Sequence, residues 1–328
     1  MATGDPSPLR WSSLPMPPFP PFAAVASEFG SDGAKLTREP GRRTISVCLT
    51  HYDRPEKLRA SLASLAEQTL RPDEVLVWDD CSPRDPAAIV QAFRPRFARL
   101  VYHRNERNLG MPGNLNAVVA QASGDYIANL HDADIFNPRL LDRWRSALDA
   151  YPTAGFVFCR VGARNAEQER RLRACPAFIP GREFNRRYFL NAWRGSSPVW
   201  GTVMARRSFY RQLLPFDARY GCVADVDMWM RFCAAADVAF VNEVLIEADS
   251  SSHFVRGVNW PLVHALRRLH ARNVAGFAAG APARGPIWWA RHAAVFAWLY
   301  GLCLVSLVRR GRWAEVAGAW RPSKGAIA

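Results

Sequence analysis

The chain has 328 residues, 49% hydrophobic and 22% charged, which excludes a wholly disordered chain, a collagen and a coiled coil and leaves room for one large domain or two with a sizeable core. The formal net charge is +14, and every one of the 43 basic side chains except Lys35, Lys57 and Lys324 is an arginine. Guanidinium groups clamp phosphate oxygens in pairs, so phosphate-bearing partners fit this composition, and so does a plain compositional preference for arginine.

Residues 1–42 hold eight of the 24 prolines and read as a loose arm. From Thr44 strands and helices alternate. Thr44–Thr50 is an apolar run expected to be a buried strand. Pro55 opens a helix whose Leu58, Leu62 and Leu65 fall on one face. Glu74–Trp78 is a second strand ending in Asp79–Asp80, and Asp85–Pro86 opens a helix through Phe93. Leu100–Tyr102 is a third strand, Pro112–Ala122 a helix, and Tyr126–Leu130 a fourth strand. A helix follows over Asn137–Tyr151, then a fifth strand over Gly155–Cys159. Such alternation predicts an α/β fold, a Rossmann-like, mostly parallel sheet with flanking helices. The organisation expected is an arm over 1–42, an α/β domain over 43–260 and a basic, apolar helical tail over 261–328.

That tail has its own signature. From Val255 onward there are eleven basic residues and one acid, Glu315. Ala293–Val308 is sixteen residues without a charge, followed by Arg309, Arg310 and Arg312. A spanning helix needs ~20 apolar residues. The expectation is therefore a helix lying on an anionic membrane surface or docked on the core, flanked by Trp288, Trp289, Trp313 and Trp320. The seven cysteines are scattered, with no CxxC, and read as reduced thiols; no secretory signal pattern opens the chain. The expected place is the cytoplasm, peripheral to the inner membrane face.

In open α/β sheets ligands bind beyond the carboxyl ends of the strands. Those ends carry Thr50–Arg54, Asp79–Asp80 and His131–Asp134. Asp132 and Asp134 form an Asp-x-Asp turn that can aim carboxylates at a hard cation, although such turns also serve as caps. Asn114, just after Pro112–Gly113, is either a donor contact or a cap. Asn116 is a further candidate for ribose or diphosphate, and Trp193, Trp200 and Trp229 are candidates for sugar stacking or for the core.

Taken together, Thr50-x-Tyr52-Asp53-Arg54-Pro55, Trp78-Asp-Asp80-x-Ser82, Asn108-Leu-Gly110, Asn114-x-Asn116 and Gly124-Asp-Tyr-Ile127 to Asp134 resemble the nucleotide-sugar half of family-two glycosyltransferases, the inverting enzymes of GT-A fold. Gly201–Arg207 and Ala224-Asp225-Val-Asp227-Met-Trp229-Met-Arg231 resemble the acceptor half. The resemblance covers about residues 43–250 and implies a metal-dependent transfer of sugar from a nucleoside diphosphate, UDP-sugars favoured, to a glycan or lipid-linked acceptor. It implies that Thr50, Tyr52, Asp53, Arg54, Asp80, Asn114 and Asp132 contact the donor. It implies that Asp132 and Asp134 hold Mg²⁺ or Mn²⁺, with His253 either a further ligand or a solvated loop residue, and that Asp225 is the general base. Asp227 lies ~200° from Asp225 around a helix, so at most one of them faces the cleft.

Three positions depart from the family pattern. Asp53 stands where Asn is usual, Ala224 where Glu is usual, and the usual metal aspartate falls on Ala133, between Asp132 and Asp134. Two other functions are compatible with an acidic-ended α/β sheet and a basic tail. A sugar-1-phosphate nucleotidyltransferase needs a Gly-rich basic loop after the first strand, and His51–Arg54 is not one. A non-enzymatic basic protein binding membrane or nucleic acid leaves the acidic strand ends without purpose, and the tail holds no nucleic-acid module; nucleic acid is not an expected partner.

Overall fold

The computed structural model describes residues 41–162, 166–189, 199, 201–248, 263–269, 286–309, 311 and 313. The arm expected over 1–42 lies outside them apart from its last two residues.

Strand β1 (Ile45–His51) is followed by α1 (Pro55–Ala66), β2 (Glu74–Asp79), α2 (Ala87–Phe93), β3 (Leu100–Arg104), α3 (Gly110–Gln121) and β4 (Tyr126–His131). These strands lie side by side and parallel in the order β3-β2-β1-β4. Both faces are covered, which is why β1 and β2 read as continuous apolar runs rather than alternating ones. Val47 and Leu49 pack with Leu58, Leu62 and Leu65 of α1 on one face. Cys48 and Trp78 pack with Leu115, Val118 and Val119 of α3 on the other.

Beyond β4 the chain makes β5 (Ile135–Phe136), α4 (Leu140–Ala150), β6 (Ala154–Val161), α5 (Ala166–Arg173), β7 (Phe178–Ile179) and α6 (Gly181–Phe184). Then come β8 (Val203–Arg206), α7 (Arg207–Leu213), α8 (Ala224–Ala235) and β9 (Asp237–Glu247). Among the described residues the sheet has nine strands in the order β3-β2-β1-β4-β8-β6-β9-β5, with β7 on β9. The sheet is mixed, within the expectation of a mostly parallel one: β8 runs antiparallel to both β4 and β6. That reversal places the loop preceding β8 at the same edge as the carboxyl end of β4. The helix expected from Asn137 begins instead at Leu140, since Asn137 makes the preceding turn, its side chain accepting from Arg139 N–H at 3.0 Å. Trp229 and Phe232 of α8 sit fully buried against Phe156 at 5.7 and 5.9 Å, so Trp229 is a core residue.

Helix α9 (Pro286–Arg309) has 24 residues. Phe296 and Cys303 bury against Val263, and Tyr300 Oη lies 3.0 Å from His264 Nδ1. No helix among the described residues is long and apolar enough to cross a membrane. All seven cysteines are free thiols.

Candidate functional site

Parallel pairing sets which side chains meet. Thr50 lies opposite Trp78 on one side and His131 on the other, and His51 lies opposite Asp79. The residues that follow each strand therefore share one crest. Thr50 is half-buried there, and Tyr52 is 45% exposed above it.

At one end of the crest stands Asp80, buried among donors. Its neighbour Asp79 holds the turn: it accepts from the backbone N–H of Ser82 at 3.1 Å and from the Ser82 hydroxyl, and pairs with Arg104 at 3.2 Å. Ser82 Oγ in turn accepts from Asp53 N–H at 2.8 Å. Asp53 has φ of 49°, a left-handed conformation that Asn and Asp tolerate best. This accounts for Asp in the usual place of Asn. The Asp53 carboxylate pairs with Arg84 at 2.9 Å. Asp80 Oδ1 accepts from Leu109 N–H at 2.7 Å and from Asn105 Nδ2 at 3.0 Å. Burial pushes its carboxyl above the ordinary range, against the opposing pull of those two donors.

Asn114 was expected at the donor. It is 2% exposed, its Oδ1 accepts from Asn105 at 2.9 Å, and its Nδ2 donates to the Trp78 carbonyl at 3.0 Å. It braces Asp80 through Asn105 and is not presented to a ligand. Asn116 likewise exchanges two hydrogen bonds with the Phe216 backbone, at 2.7 and 3.0 Å, tying α3 to the segment before α8.

Asp132 is fully buried and both its oxygens are engaged. Oδ1 meets Arg54 at 2.5 Å and Oδ2 meets His51 Nδ1 at 2.6 Å. It clasps the end of β1 to the end of β4. A cation at Asp132 would have to displace Arg54 or His51. Arg54 thereby faces Asp132, with a third of its side chain still exposed.

Two residues further, Asp134 Oδ2 lies 3.7 Å from His131 Nδ1. The other side of the His131 ring faces Gly201. A β-carbon on Gly201 would stand 2.9 Å from His131 Nε2 and 3.0 Å from Asp225 Oδ2. Gly201, His131 and Asp225 therefore meet at one point, with Asp134 behind the imidazole. Asp225 is in the first turn of α8, and its Oδ1 accepts from Val226 N–H at 2.8 Å, which leaves Oδ2 directed at that point. Burial pushes the Asp225 carboxyl up to about 6; the Val226 N–H and the nearby His131 act in the opposite sense.

Asp227 points elsewhere, as helix geometry requires. It is buried and pairs with Arg231 at 2.8 Å, whose guanidinium also reaches the backbone carbonyls of Leu213 and Pro215. It anchors the segment before α8. His253, Trp193 and Trp200 lie outside the described residues.

Among the described residues no group of three His, Cys, Asp or Glu side chains is placed to hold a metal ion. Mg²⁺ typically takes one or two protein carboxylates and completes its shell with water and substrate phosphates. Asp134, with His131 beside it, fits that smaller protein share.

Four residues of the site had no role assigned from sequence. His51 and Asn105 are buried polar side chains whose partners lie 81 and 25 residues away. His131 heads a turn where the aspartates draw attention. Gly201 shows its purpose only through what a β-carbon would strike.

The sequence profile of "Glycosyl transferase family 2" matches residues 46–214. EpsE of Bacillus subtilis (strain 168) is 28% identical over 197 residues, 57% of this chain and 66% of EpsE. The amylovoran biosynthesis glycosyltransferase AmsE of Erwinia amylovora is 25% identical over 133 residues, 40% of this chain and 50% of AmsE. The chain thus spans about half to two thirds of these relatives' length. Among solved structures, S. aureus TarS 1–349 in complex with UDP-GlcNAc has a TM-score of 0.58 at 18% identity, covering 78% of this chain and 71% of that one. This chain covers 39% of a longer TarS chain. The mannosyltransferase PcManGT of Pyrobaculum calidifontis, in complex with GDP-Man and Mn²⁺, has a TM-score of 0.55 at 17% identity, covering 93% and 83%. These likenesses establish the GT-A fold.

Proposed function

This chain belongs to glycosyl transferase family 2 and is a glycosyltransferase, and we propose that it is an inverting one. It moves a sugar from a nucleoside-diphosphate sugar, a UDP-sugar by preference, to an acceptor hydroxyl in the synthesis of a surface polysaccharide or glycolipid. The observation that carries this reading is the meeting of Asp225 Oδ2 with His131 at Gly201, beside Asp134. A base for the acceptor and a carboxylate for the cation of the leaving diphosphate then stand at one edge of the sheet. The UDP-GlcNAc complex of TarS supports the donor class, and the name of AmsE supports the polysaccharide role.

The chemistry is a single displacement. The acceptor oxygen attacks the anomeric carbon while the bond to the diphosphate breaks on the opposite face, and the hydroxyl proton passes to Asp225. Tyr52 and Thr50 line the base end of the cleft and Asp80 accepts a ring N–H. Asp134, beside His131, would hold Mg²⁺ or Mn²⁺, which when bound neutralises charge on the departing diphosphate. Asp132 keeps Arg54 and His51 in place.

A panel of UDP- and GDP-sugars with Mn²⁺, Mg²⁺ or EDTA tests the reading. The expected result is metal-dependent release of a nucleoside diphosphate and a product of inverted anomeric configuration by NMR. Retention of configuration sinks the displacement, and full activity in EDTA sinks the metal role. In the same series Asp134→Ala weakens UDP binding only when metal is present. Asp132→Ala instead lowers the melting temperature by roughly 5 °C or more, because it strips a buried clasp of its acceptor.

The place of action is read from α9. Its buried face carries Phe296 and Cys303, while Trp298, Leu302, Val305 and Val308 on the outer face are exposed, Trp298 by 63%. A helix apolar on all sides is ordinarily covered on all sides. Arg309, exposed at its end, and Arg267 and Arg268, exposed on the segment 263–269 packed against it, supply positive charge. We read this as a surface for anionic lipid at the inner membrane face. The full chain is expected to float with phosphatidylglycerol vesicles, partly released by salt since each basic residue contributes ~1 kcal/mol. Trp298→Glu with Val305→Glu should remove the salt-resistant part. Equal behaviour of wild type and double variant on the vesicles would rule the surface out.

A further inference from the structure

We propose that Asn105 is a specificity-determining residue: by saturating one oxygen of Asp80 it leaves a single acceptor for the nucleobase. The site then favours a base that offers one ring N–H over a base that offers two adjacent donors. The proposal rests on the reading of Asp80 as the base acceptor and goes beyond it in saying which bases that acceptor can serve.

A carboxylate oxygen has two lone pairs. On Asp80 Oδ1 both are filled, one by Leu109 N–H at 2.7 Å and one by Asn105 Nδ2 at 3.0 Å. The Gly110 N–H also acts on the carboxylate. The orientation of Asn105 follows from its second hydrogen. Nδ2 also donates to Asn114 Oδ1 at 2.9 Å, and Asn114 is itself fixed by its bond to the Trp78 carbonyl at 3.0 Å. A flipped Asn105 amide would set its oxygen against two other oxygens. Asn105 is 6% exposed, and its backbone N–H is held by the Asp79 carbonyl at 2.9 Å, so the side chain has one seat.

The discrimination follows from donor geometry. The guanine edge presents a ring N–H and an amino group side by side, which a carboxylate accepts in a bidentate way when both oxygens are open. With Oδ1 saturated, one of those donors would be buried without an acceptor. Uracil presents one ring N–H between two carbonyls and needs only Oδ2. The donor class this selects is a uridine diphosphate sugar, and Asn105, 25 residues from Asp80, is the selector.

The test is calorimetric titration of the full chain with UDP and with GDP in the presence of Mn²⁺, for wild type, Asn105→Ala, Asn114→Ala and Asp80→Ala. Wild type is expected to bind UDP at least ~10-fold more tightly than GDP, the factor one buried donor without an acceptor commands. Asn105→Ala reopens Oδ1 and should lower the UDP-to-GDP ratio by ~5-fold or more, a change in selectivity that general loosening would not produce. Asn114→Ala, which frees the Asn105 amide without touching Asp80, should move the ratio the same way and decides the matter if Asn105→Ala fails to fold. A wild type that binds both nucleotides equally, or folded variants with an unchanged ratio, overturns the proposal. If Asp80→Ala also leaves UDP affinity unchanged, the reading of Asp80 itself falls; if only the asparagine variants are silent, the role of Asn105 falls alone.

Discussion

Asp225→Asn is expected to lower transfer by ~10²–10⁴-fold, the usual cost of losing a general base, while UDP binding stays within about twofold of wild type. The amide fills the same space and can keep the bond from Val226 N–H through its oxygen, which now binds Asp225 Oδ1 at 2.8 Å. What it lacks is a lone pair basic enough to take the acceptor proton. The pH profile carries an independent signature. Burial holds the Asp225 carboxyl up at about 6, and only its ionised form can act as a base. The wild-type rate should therefore rise as pH climbs through about 6 and level off above it. Below that value the group is protonated and the rate should fall ~10-fold per pH unit. His131 faces the carboxylate, and Cys222 senses its charge. In Asp225→Asn the residual rate should lose this acid limb. A variant that keeps more than about a tenth of the wild-type rate, or a wild-type profile flat from pH 5 to 8, sinks the assignment.

Gly201→Ala is expected to be nearly as severe, for reasons that can be separated. The residue has φ of +41°, where an added side chain costs ~1–2 kcal/mol of backbone strain. The new methyl would also stand 2.8 Å from His131 Cε1 and 3.0 Å from Asp225 Oδ2. One of the two groups must move, and misplacement of a reacting group by ~1 Å can cost ~10²-fold in rate. Gly41→Ala is the control. It too has positive φ, +85°, but nothing lies within 4 Å of the added carbon. Both variants should lose stability, by ~2–4 °C for each kcal/mol. Only Gly201→Ala should lose kcat. If the two variants lose stability and both retain full turnover, Gly201 is merely a turn residue and the meeting of His131 with Asp225 is not the reacting centre.

Much of this molecule can be read from local pattern. The strand Ile45–His51 forms where the chain is buried on both faces, and Leu58, Leu62 and Leu65 recur at helical spacing because one face of α1 must bury. The carboxyl ends of those strands point to Asp80 and Asp134, and the resemblance of the Ala224–Arg231 segment to the acceptor half of the family points to Asp225. The separation of Asp225 from Asp227 also follows from helix geometry alone, since two residues along α8 turn one carboxylate into the cleft and the other toward Arg231.

What pattern cannot supply is the partner of a polar side chain. Asp132 and Asp134 are indistinguishable in sequence. The β1–β4 register alone brings His51 and Arg54 onto Asp132 and leaves Asp134 beside His131. Asn114 reads equally as a donor contact or a cap until Asn105 is found between it and Asp80. Gly201, His131 and Asp225 come from three separate stretches of chain and converge because β8 runs antiparallel beside β4. Hydrophobic burial is periodic, so it leaves a trace along the chain. A hydrogen bond or an ion pair depends on a few tenths of an ångström between residues far apart in sequence, and such distances exist only once the sheet has closed.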